Sequence, residues 1–375
     1  MAMLNNTTGR VLLAAPMLSR GGEERIVVAL ANRLLDRGFK VALACDLSGP
    51  LLGDLGDKAE LFDVDFYSGE RSAYLRTSNT IMQWKPDVVH CHGTRPGLSA
   101  RAAAIRHRCP VIWTVQLHPL WGPKLHNSLI ARTAFRIGLW GLEPFTATTA
   151  CVSQALAQGL VAFARPVPLH CTVVHNAIDT NRYRPNSISG AAFRLEHGIK
   201  AKQTLAAMIA RLTPRKGITM FVEAIAAAKD KDTMGVIAGS GDELPQLESL
   251  IKRLGLEDRV LLVGEMMDPR PLMTAADVGV LPSRGEGLPL CVMEMLSCGL
   301  PVALSDIPEH QDFRLAGDAV SFFRSDSIAE LAALLDRSVE WRSQRLSSLA
   351  RASAVKHFSL DSMVESYVGL YGLSD

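Results

Sequence analysis

Short apolar runs alternate with segments of helical periodicity along nearly the whole chain, a pattern typical of parallel α/β sheets. In the first half, the predicted strands are 11–15, 41–45, 88–91, 111–115, 148–152 and 171–175. Helices are predicted between them, among them 23–37, where apolar residues recur at i, i+3 and i+4, and 97–107. These elements predict a doubly wound sheet.

A second series of strands and helices begins near residue 205. Its predicted strands are 205–209, 235–238, 260–263, 278–281 and 301–304, and its predicted helices include 217–228, 244–254 and 290–298. The polar segment between the series carries Pro185, so we place the linker near 177–186. We therefore expect Rossmann-like domains at 1–180 and 181–357, facing each other across a cleft, and a terminal helix within 358–375.

Length, charge and cysteine content narrow the class of protein. A chain of 375 residues suits two domains, and a net charge of +2 argues against a uniformly basic nucleic-acid-binding surface, so we expect no nucleic-acid partner. Seven cysteines without a C-x-x-C pair indicate reduced thiols of a cytoplasmic protein. The apolar stretch 287–304 is interrupted by Pro289, Glu294 and Gly299, so we predict no transmembrane helix.

Two loops that follow predicted strands carry candidate ligand-binding residues. Gly21 and Gly22 precede the first helix, where backbone amides can approach a ligand, although a plain turn explains them equally well. Arg211 and Lys216 follow the strand at 205–209, and two cations in one loop suit a pyrophosphate. A solvated basic turn is the alternative interpretation of this second loop.

A third stretch, at residues 282–301, places two carboxylates eight residues apart. Glu286 lies in a loop, and Glu294 lies inside an otherwise apolar helix that begins at Pro289. A carboxylate on such a helix is costly unless it is paired or faces a ligand, and a ribose diol is a natural ligand for it. The alternatives are a charge at the helix N-terminus for Glu286 and a core ion pair for Glu294.

These stretches resemble the retaining glycosyltransferases of family 4, which have the GT-B architecture. Glu286 and Glu294 match the family's E-x7-E, and Arg211 and Lys216 match its R-x4-K. Residues 21–25 resemble its G-G-x-E-R, 87–92 its D-V-V-H-x-H, and 237–241 its G-x-G strand end. The chain departs from the family at Ala177, where a glycine is usual, and its first-domain histidine is assigned to His118.

The resemblance implies a nucleotide-diphosphate sugar held mainly by the second domain and an acceptor held mainly by the first. It implies catalytic roles for Glu286, His118, Lys216 and Arg211. It implies donor contacts from a larger set: Gly21, Gly22, Arg211, Lys216, Gly264, Glu265, Met266, Glu286, Gly287, Leu288, Leu290 and Glu294.

Within this set the resemblance assigns each group to one part of the donor. Arg211 and Lys216 would hold the diphosphate, and Glu294 would hold the ribose diol. Glu286 and the amides at 287–288 would hold the transferred sugar. The leaving diphosphate would accept the acceptor's proton, so neither a cofactor nor a metal is expected.

The implied function is sugar transfer to a glycan or lipid-linked acceptor, in cell-surface polysaccharide or lipopolysaccharide synthesis. A nucleotide-sugar 2-epimerase of the same fold and a non-catalytic nucleotide-sugar-binding protein are the alternatives. Asp63 and Asp65 spell a D-x-D, which we interpret as a strand end rather than a metal site. His90 and His92 share one face of a strand and fit either the acceptor cleft or a core pair.

Residues 71–142 form a basic window rich in tryptophan. They hold ten Lys and Arg against one acid, Asp87, and include Trp84, Trp113, Trp121 and Trp140. Such a composition suits an anionic membrane surface. We therefore expect a cytoplasmic enzyme with peripheral contact at the inner face of the membrane. Core tryptophans with solvated arginines are the alternative.

Overall fold

The computed structural model describes residues 9–19, 21–118, 128–166, 168–169 and 171–373. The chain forms two compact units, of which the first comprises Met1–Ala177 and Leu360–Asp375 and the second Ile178–Ser359. The chain therefore leaves the first unit and returns to it for the last helix.

A parallel sheet of order β3-β2-β1-β4-β5-β6-β7 forms the centre of the first unit. Its strands are β1 (Arg10–Met17), β2 (Lys40–Asp46), β3 (Glu60–Asp63), β4 (Val88–His92), β5 (Val111–Val115), β6 (Thr148–Cys151) and β7 (Cys171–Val173). The helices that connect them are α1 (Gly22–Asp36), α2 (Glu70–Trp84), α3 (Pro96–Arg106), α4 (Leu129–Leu142) and α5 (Gln154–Ala164).

The second unit has a parallel sheet of order β10-β9-β8-β11-β12-β13. Its strands are β8 (Leu205–Ile209), β9 (Met234–Ala238), β10 (Val260–Gly264), β11 (Val278–Leu281), β12 (Val302–Ser305) and β13 (Val320–Phe323). Its helices are α6 (Ser187–Glu196), α7 (Ile218–Ala227), α8 (Leu244–Arg253), α9 (Arg270–Ala275), α10 (Leu290–Ser297), α11 (Ile328–Leu335), α12 (Ser338–Trp341) and α13 (Gln344–His357). The last helix, α14 (Leu360–Tyr371), belongs to the first unit.

Burial on both faces explains why the central strands are unbroken apolar runs. Val11, Leu12 and Leu13 of β1 are all fully buried, because helices cover both faces of a parallel sheet. In the second unit, α7 turns Phe221 and Ile225 completely into the core. Truncation of Phe221 to alanine would cost about 3–5 kcal/mol, so this helix depends on its packing.

A buried polar group joins α14 to the first sheet. His90 Nδ1 lies 2.9 Å from the Tyr371 hydroxyl, and its Nε2 lies 2.7 Å from Thr114 Oγ1. The Tyr367 hydroxyl lies 3.1 Å from the same Thr114 oxygen. Burial lowers the pKa of His90 well below its usual value, so the ring is neutral. His90 is therefore a hydrogen-bonded core residue, which decides between the two interpretations of it.

The structure differs from the sequence predictions mainly where segments are short or polar. The strand β13 and helices such as α2 and α6 were not predicted, and of β3 only the end, at Asp63, was. The helix α6 begins immediately after the expected linker, with the Asn186 side chain accepting a hydrogen bond from the Ser189 amide. Ala177 is not strained, because Lys85 and Arg108 are the only described non-glycine residues with positive φ.

The D-x-D aspartates have protein partners. Asp63, the last residue of β3, accepts a hydrogen bond from Arg76 at 3.2 Å, and Asp65 accepts one from the Tyr67 amide at 2.7 Å. Both carboxylates therefore serve local structure at a strand end.

Candidate functional site

The second sheet has a topological switch point between β8 and β11. Strand order runs outward from β8 to β9 and β10 on one side and from β11 to β12 and β13 on the other. Loops after two such strands separate and leave a crevice at the carboxyl edge of the sheet, where α/β proteins bind ligands. Arg211 and Lys216 follow β8, and Glu286 follows β11. The topology therefore brings the two predicted motifs to one crevice.

Glu286 is the centre of a charged cluster in this crevice. It is 6% exposed, and its Oε1 lies 2.5 Å from Lys216 Nζ and accepts a hydrogen bond from Ser283 Oγ at 2.6 Å. Arg215 lies 3.6 Å from Oε2. Burial alone would raise the pKa of Glu286, but Lys216, Ser283 and Arg215 outweigh it and hold the pKa below its usual value. The carboxylate is therefore charged at neutral pH.

Backbone contacts hold the two loops of the crevice together. The Arg284 amide donates to the Arg215 carbonyl at 2.8 Å, and the Arg215 guanidinium donates to the Gly285 carbonyl at 2.8 Å. Gly217 has φ of +68°, and a Cβ there would collide with the Pro282 carbonyl oxygen, so only glycine fits. Arg211 is exposed at the start of its loop.

Glu294 lies deeper in the same crevice, on α10. It is 3% exposed, and Leu290, one turn before it, is 9% exposed. The Cys291 thiol lies within the field of three charged groups: burial raises its pKa to about 12, while Lys216 lowers it and Glu286 and Glu294 raise it. Lys216, Glu286 and Glu294 therefore all influence the charge of the Cys291 thiol. The buried residues Gly287 and Leu288 form the turn that leads into α10.

Three of the donor contacts that the resemblance implies, Gly264, Glu265 and Met266, follow β10, two strands from β8 on the same edge. Gly264 ends β10, and its carbonyl accepts a hydrogen bond from the Gly239 amide at 2.7 Å. Glu265 is exposed and accepts a hydrogen bond from Ser240 Oγ at 3.0 Å, and Met266 is half-buried. Gly264 and Glu265 therefore contact the loop after β9, which lies between β10 and β8 in the sheet.

The first sheet has its own switch point, between β1 and β4, where α1 begins after Gly21 and Gly22. Glu23 lies in the first turn of α1, with its Oε1 packed against Gly93. This oxygen is buried and has no hydrogen-bond partner among the described residues. Burial, followed by the charge of Glu24, raises the pKa of Glu23 to about 8.

His118 lies at the carboxyl edge of the first sheet, after β5. It is half-buried against α5, where its ring meets Phe163 edge-on at 6.1 Å between centroids and lies close to Gly159. Burial lowers its pKa, which favours the neutral ring. On the adjacent strand β4, His92 is fully buried, and neither of its ring nitrogens has a partner among the described residues.

The tryptophans of the basic window do not form an exposed belt. Trp84 and Trp113 are buried, and Trp140 donates to the Ala164 carbonyl at 2.6 Å. Trp121 and the neighbouring Lys124 lie outside the described residues. For Trp84 and Trp113 the core interpretation is correct, and Trp140 is half-buried.

Sequence reasoning singled out Glu286 and Lys216 but gave no role to Ser283 or Glu23. Ser283 lies within the stretch 282–301, and a serine three residues before a loop carboxylate is within reach of its oxygen. Glu23 could have been noticed as an acid beside the apolar face of a helix that begins at a glycine pair.

Two family models together match most of the chain. A sequence model described as Glycosyltransferase Family 4 matches residues 20–182, and one described as Glycosyl transferases group 1 matches 191–352. UDP-Gal:alpha-D-GlcNAc-diphosphoundecaprenol alpha-1,3-galactosyltransferase of Escherichia coli is 28% identical over 307 residues, covering 78% of this chain and 77% of that protein.

A further relative and a solved structure of similar fold extend the comparison. Lipopolysaccharide core biosynthesis mannosyltransferase LpsB of Rhizobium meliloti is 25% identical over 298 residues, covering 76% of this chain and 83% of that protein. The crystal structure of HepE of Anabaena in complex with UDP superposes with a TM-score of 0.81 at 20% identity, covering 97% of this chain and 100% of that chain.

None of the helices in the described ranges combines the length and apolar composition needed to cross a bilayer. In the same ranges, no three His, Cys, Asp or Glu side chains come together in a way that could hold a metal ion.

Proposed function

This chain belongs to the family 4 glycosyltransferases of GT-B architecture, and on that premise we propose that it transfers a sugar from a nucleotide-diphosphate sugar with retention of anomeric configuration. One observation carries the proposal: the Lys216–Glu286 pair, with side chains 14% and 6% exposed, lies at the switch point of the second sheet, and the buried Glu294 follows on α10. A cation next to two acids fits a ligand that has both an anionic diphosphate and hydroxyl-rich sugars.

Each group of the crevice then has one task. Arg211 and Lys216 neutralise the diphosphate as it leaves, and Glu294 accepts the ribose hydroxyls. Glu286 and the amides at 287–288 orient the transferred sugar, and His118 has the sugar contact that the resemblance implies. The backbone at 264–266 meets the base.

The reaction needs no side-chain base. The acceptor hydroxyl forms its bond to the anomeric carbon on the face from which the diphosphate departs, and the bond from that carbon to the diphosphate oxygen breaks. The departing oxygen takes the hydroxyl proton. Lys216 and Arg211 stabilise the charge that develops on it, which is the task a metal ion has in other transferases.

We propose a glycan precursor of the cell surface, free or lipid-linked, as the acceptor. The support is the names of the relatives, which refer to a diphosphoundecaprenol-linked sugar for one and to lipopolysaccharide core synthesis for another. The epimerase and binding-protein alternatives gain no support from the relatives described above.

A donor screen followed by substitution tests the donor site. Thermal-shift screening of nucleoside diphosphates and their sugars identifies the donor by the stabilisation it confers, and mass spectrometry then identifies the product. Lys216→Ala should lower turnover by about 10²-fold, on the order of 3 kcal/mol, and Glu294→Ala should weaken nucleotide binding itself. The exposed Lys252 provides the control Lys252→Ala. Turnover near that of the wild type in Lys216→Ala would refute the assignment.

Metal independence is tested with the same assay. We expect full activity in EDTA, because Arg211 and Lys216 supply the positive charge. Activity lost in EDTA and restored by manganese or magnesium would overturn this part of the proposal, and an anomeric inversion seen by NMR would overturn retention.

We also propose that the first unit docks on an anionic membrane through α4. Leu129, Ile130 and Ile137 are 77%, 84% and 60% exposed on this helix, which also carries Arg132 and Arg136. An exposed aliphatic stripe beside cations suits a surface with acyl chains below anionic headgroups.

A matched pair of substitutions tests the docking surface. Ile130 and Ile188 are 84% and 83% exposed on helices of different units. Ile130→Glu should weaken sedimentation with anionic liposomes at least ~10-fold, since it loses about 1.5–3 kcal/mol of apolar burial and adds repulsion. Ile188→Glu should leave binding unchanged. Equal binding of both variants, or no binding of the wild type at low salt, would leave a soluble acceptor as the better hypothesis.

A further inference from the structure

A continuous series of hydrogen bonds joins Glu286 to the neighbouring strand β12. Ser283 Oγ donates to Glu286 Oε1 at 2.6 Å, and Ser305 Oγ donates to the Ser283 carbonyl at 2.5 Å. His310 Nδ1 lies 2.8 Å from the Ser305 carbonyl oxygen. Ser283, Ser305 and His310 are all fully buried, so water does not compete for these bonds.

His310 is the hydrogen-bond donor in its contact with the Ser305 carbonyl. A carbonyl oxygen only accepts hydrogen bonds, so Nδ1 carries the hydrogen in the bond to Ser305. Burial lowers the pKa of His310 to about 4, against the smaller raising effects of Ser305 and Glu286, so the ring stays neutral at pH 7. His310 is thus a fixed donor at the base of the series.

The Glu286 loop is held from both neighbouring strands. On the β8 side its partners are Arg215 and Lys216, and on the β12 side it is held through Ser305. These two sides differ in one respect. The proposed function needs Lys216 at the diphosphate, whereas the Ser283 hydroxyl has no other task.

We infer that Ser283, supported by Ser305 and His310, is a positioning residue that holds the Glu286 carboxylate in place when Lys216 engages the diphosphate. The inference rests on the proposed role of Glu286 as the contact for the transferred sugar. Ser305, at the end of β12, would then affect catalysis through Ser283 and Glu286, without touching the substrate.

Ser283→Ala provides the central test, with the nucleotide sugar found in the donor screen and its nucleoside diphosphate as probes. We expect kcat to fall about 10- to 100-fold, the usual effect of losing a hydrogen bond to a charged group. The Kd of the nucleoside diphosphate should change less than twofold, since its contacts are elsewhere. The matched control is Ser353→Ala, which removes a buried hydroxyl that donates to the Leu315 carbonyl at 3.4 Å in the same unit.

A double-mutant cycle separates positioning from simple structural support. The cycle compares Ser283→Ala in the wild type with Ser283→Ala in the Glu286→Ala variant, and it measures how much the sugar adds to donor affinity. If Ser283 acts through Glu286, Ser283→Ala should have no further effect on that sugar contribution once Glu286 is alanine. That contribution is the ratio of the Kd of the nucleoside diphosphate to the Kd of its sugar, so it can be measured without turnover. An equal loss in both backgrounds, or a loss of diphosphate affinity as large as that of kcat, would overturn the inference.

Conservative variants keep the test decisive if Ser283→Ala does not fold. Ser283→Thr retains the hydroxyl and should restore activity, and His310→Gln retains a donor that His310→Met lacks. Equal activity of the two His310 variants would contradict the inference. Full activity of Glu286→Ala would instead refute the proposed function of Glu286, and the positioning role with it.

Discussion

Glu23→Gln should stabilise the first unit, and by more as the pH rises. The carboxyl of Glu23 has one oxygen that is buried without a partner among the described residues, and its pKa is raised from 4.5 to about 8. Between these pH values the folded state keeps a proton that the unfolded state has lost. The contribution of Glu23 to the free energy of unfolding therefore falls as the pH rises from 4.5 to 8, and it is largest below pH 4.5.

The magnitude follows from the displaced pKa. At pH 7, with about 1.4 kcal/mol for each unit above 4.5, holding the proton costs about 3 kcal/mol. Solvent reaches the rest of this half-buried side chain and screens part of the cost, so we expect about 2–3 kcal/mol. Glutamine has nearly the same shape and no charge at any pH, so Glu23→Gln removes this cost.

Urea unfolding at pH 5, 7 and 8.5 measures the effect. Tryptophan fluorescence reports mainly on the first unit, which holds four of the five tryptophans. The exposed Asp57 in the same unit provides the control Asp57→Asn, which should leave stability unchanged within about 0.5 kcal/mol. If the stability difference between Glu23→Gln and the wild type were the same at all three pH values, the reasoning would be wrong.

Three further substitutions have outcomes set by single contacts. Gly239→Ala should destabilise the second unit by more than about 2 kcal/mol in urea unfolding, because φ is +151° and the new Cβ collides with backbone. Tyr371→Phe should cost about 1–2 kcal/mol by the same measurement, since it leaves buried His90 without one partner; an unchanged stability would contradict the role of that bond. Glu143→Ala should cost about 3–5 kcal/mol, because Arg101 is fully buried and pairs with Glu143 at 3.2 Å, and a loss below 1 kcal/mol would show that the charge is solvated.

The sequence predicts best the elements in which buried apolar residues recur at a regular spacing. The helix α1 and the strand β8 were located to within a residue, because each has an apolar pattern that only one kind of element fits. The strand β3 is four residues long, lies at the sheet edge and is largely exposed, so it has no such pattern. The helix α6 is in a polar segment and depends on Asn186 at its N-terminus.

For the site, the residues were predictable but their contacts were not. The motifs indicate Lys216 and Glu286 separately, and the family's roles assign them to different parts of the donor. Their 2.5 Å contact exists because β8 and β11 are neighbours, and strand order cannot be deduced from alternating elements. The bonds from His310 through Ser305 to Ser283 likewise join residues from neighbouring strand ends. Neutral residues of this kind carry no charge pattern that would single them out.

The division of the chain into units has a consequence for its synthesis. The second unit is one continuous segment, Ile178–Ser359, and so it has all of its residues as soon as that segment has left the ribosome. The first unit must wait, because α14 supplies Tyr367 and Tyr371, which cover His90 and Thr114 at the middle of its sheet. The half of the protein that is translated first is therefore the half that is finished last, and a nascent chain holds an uncovered histidine face until residue 371 emerges.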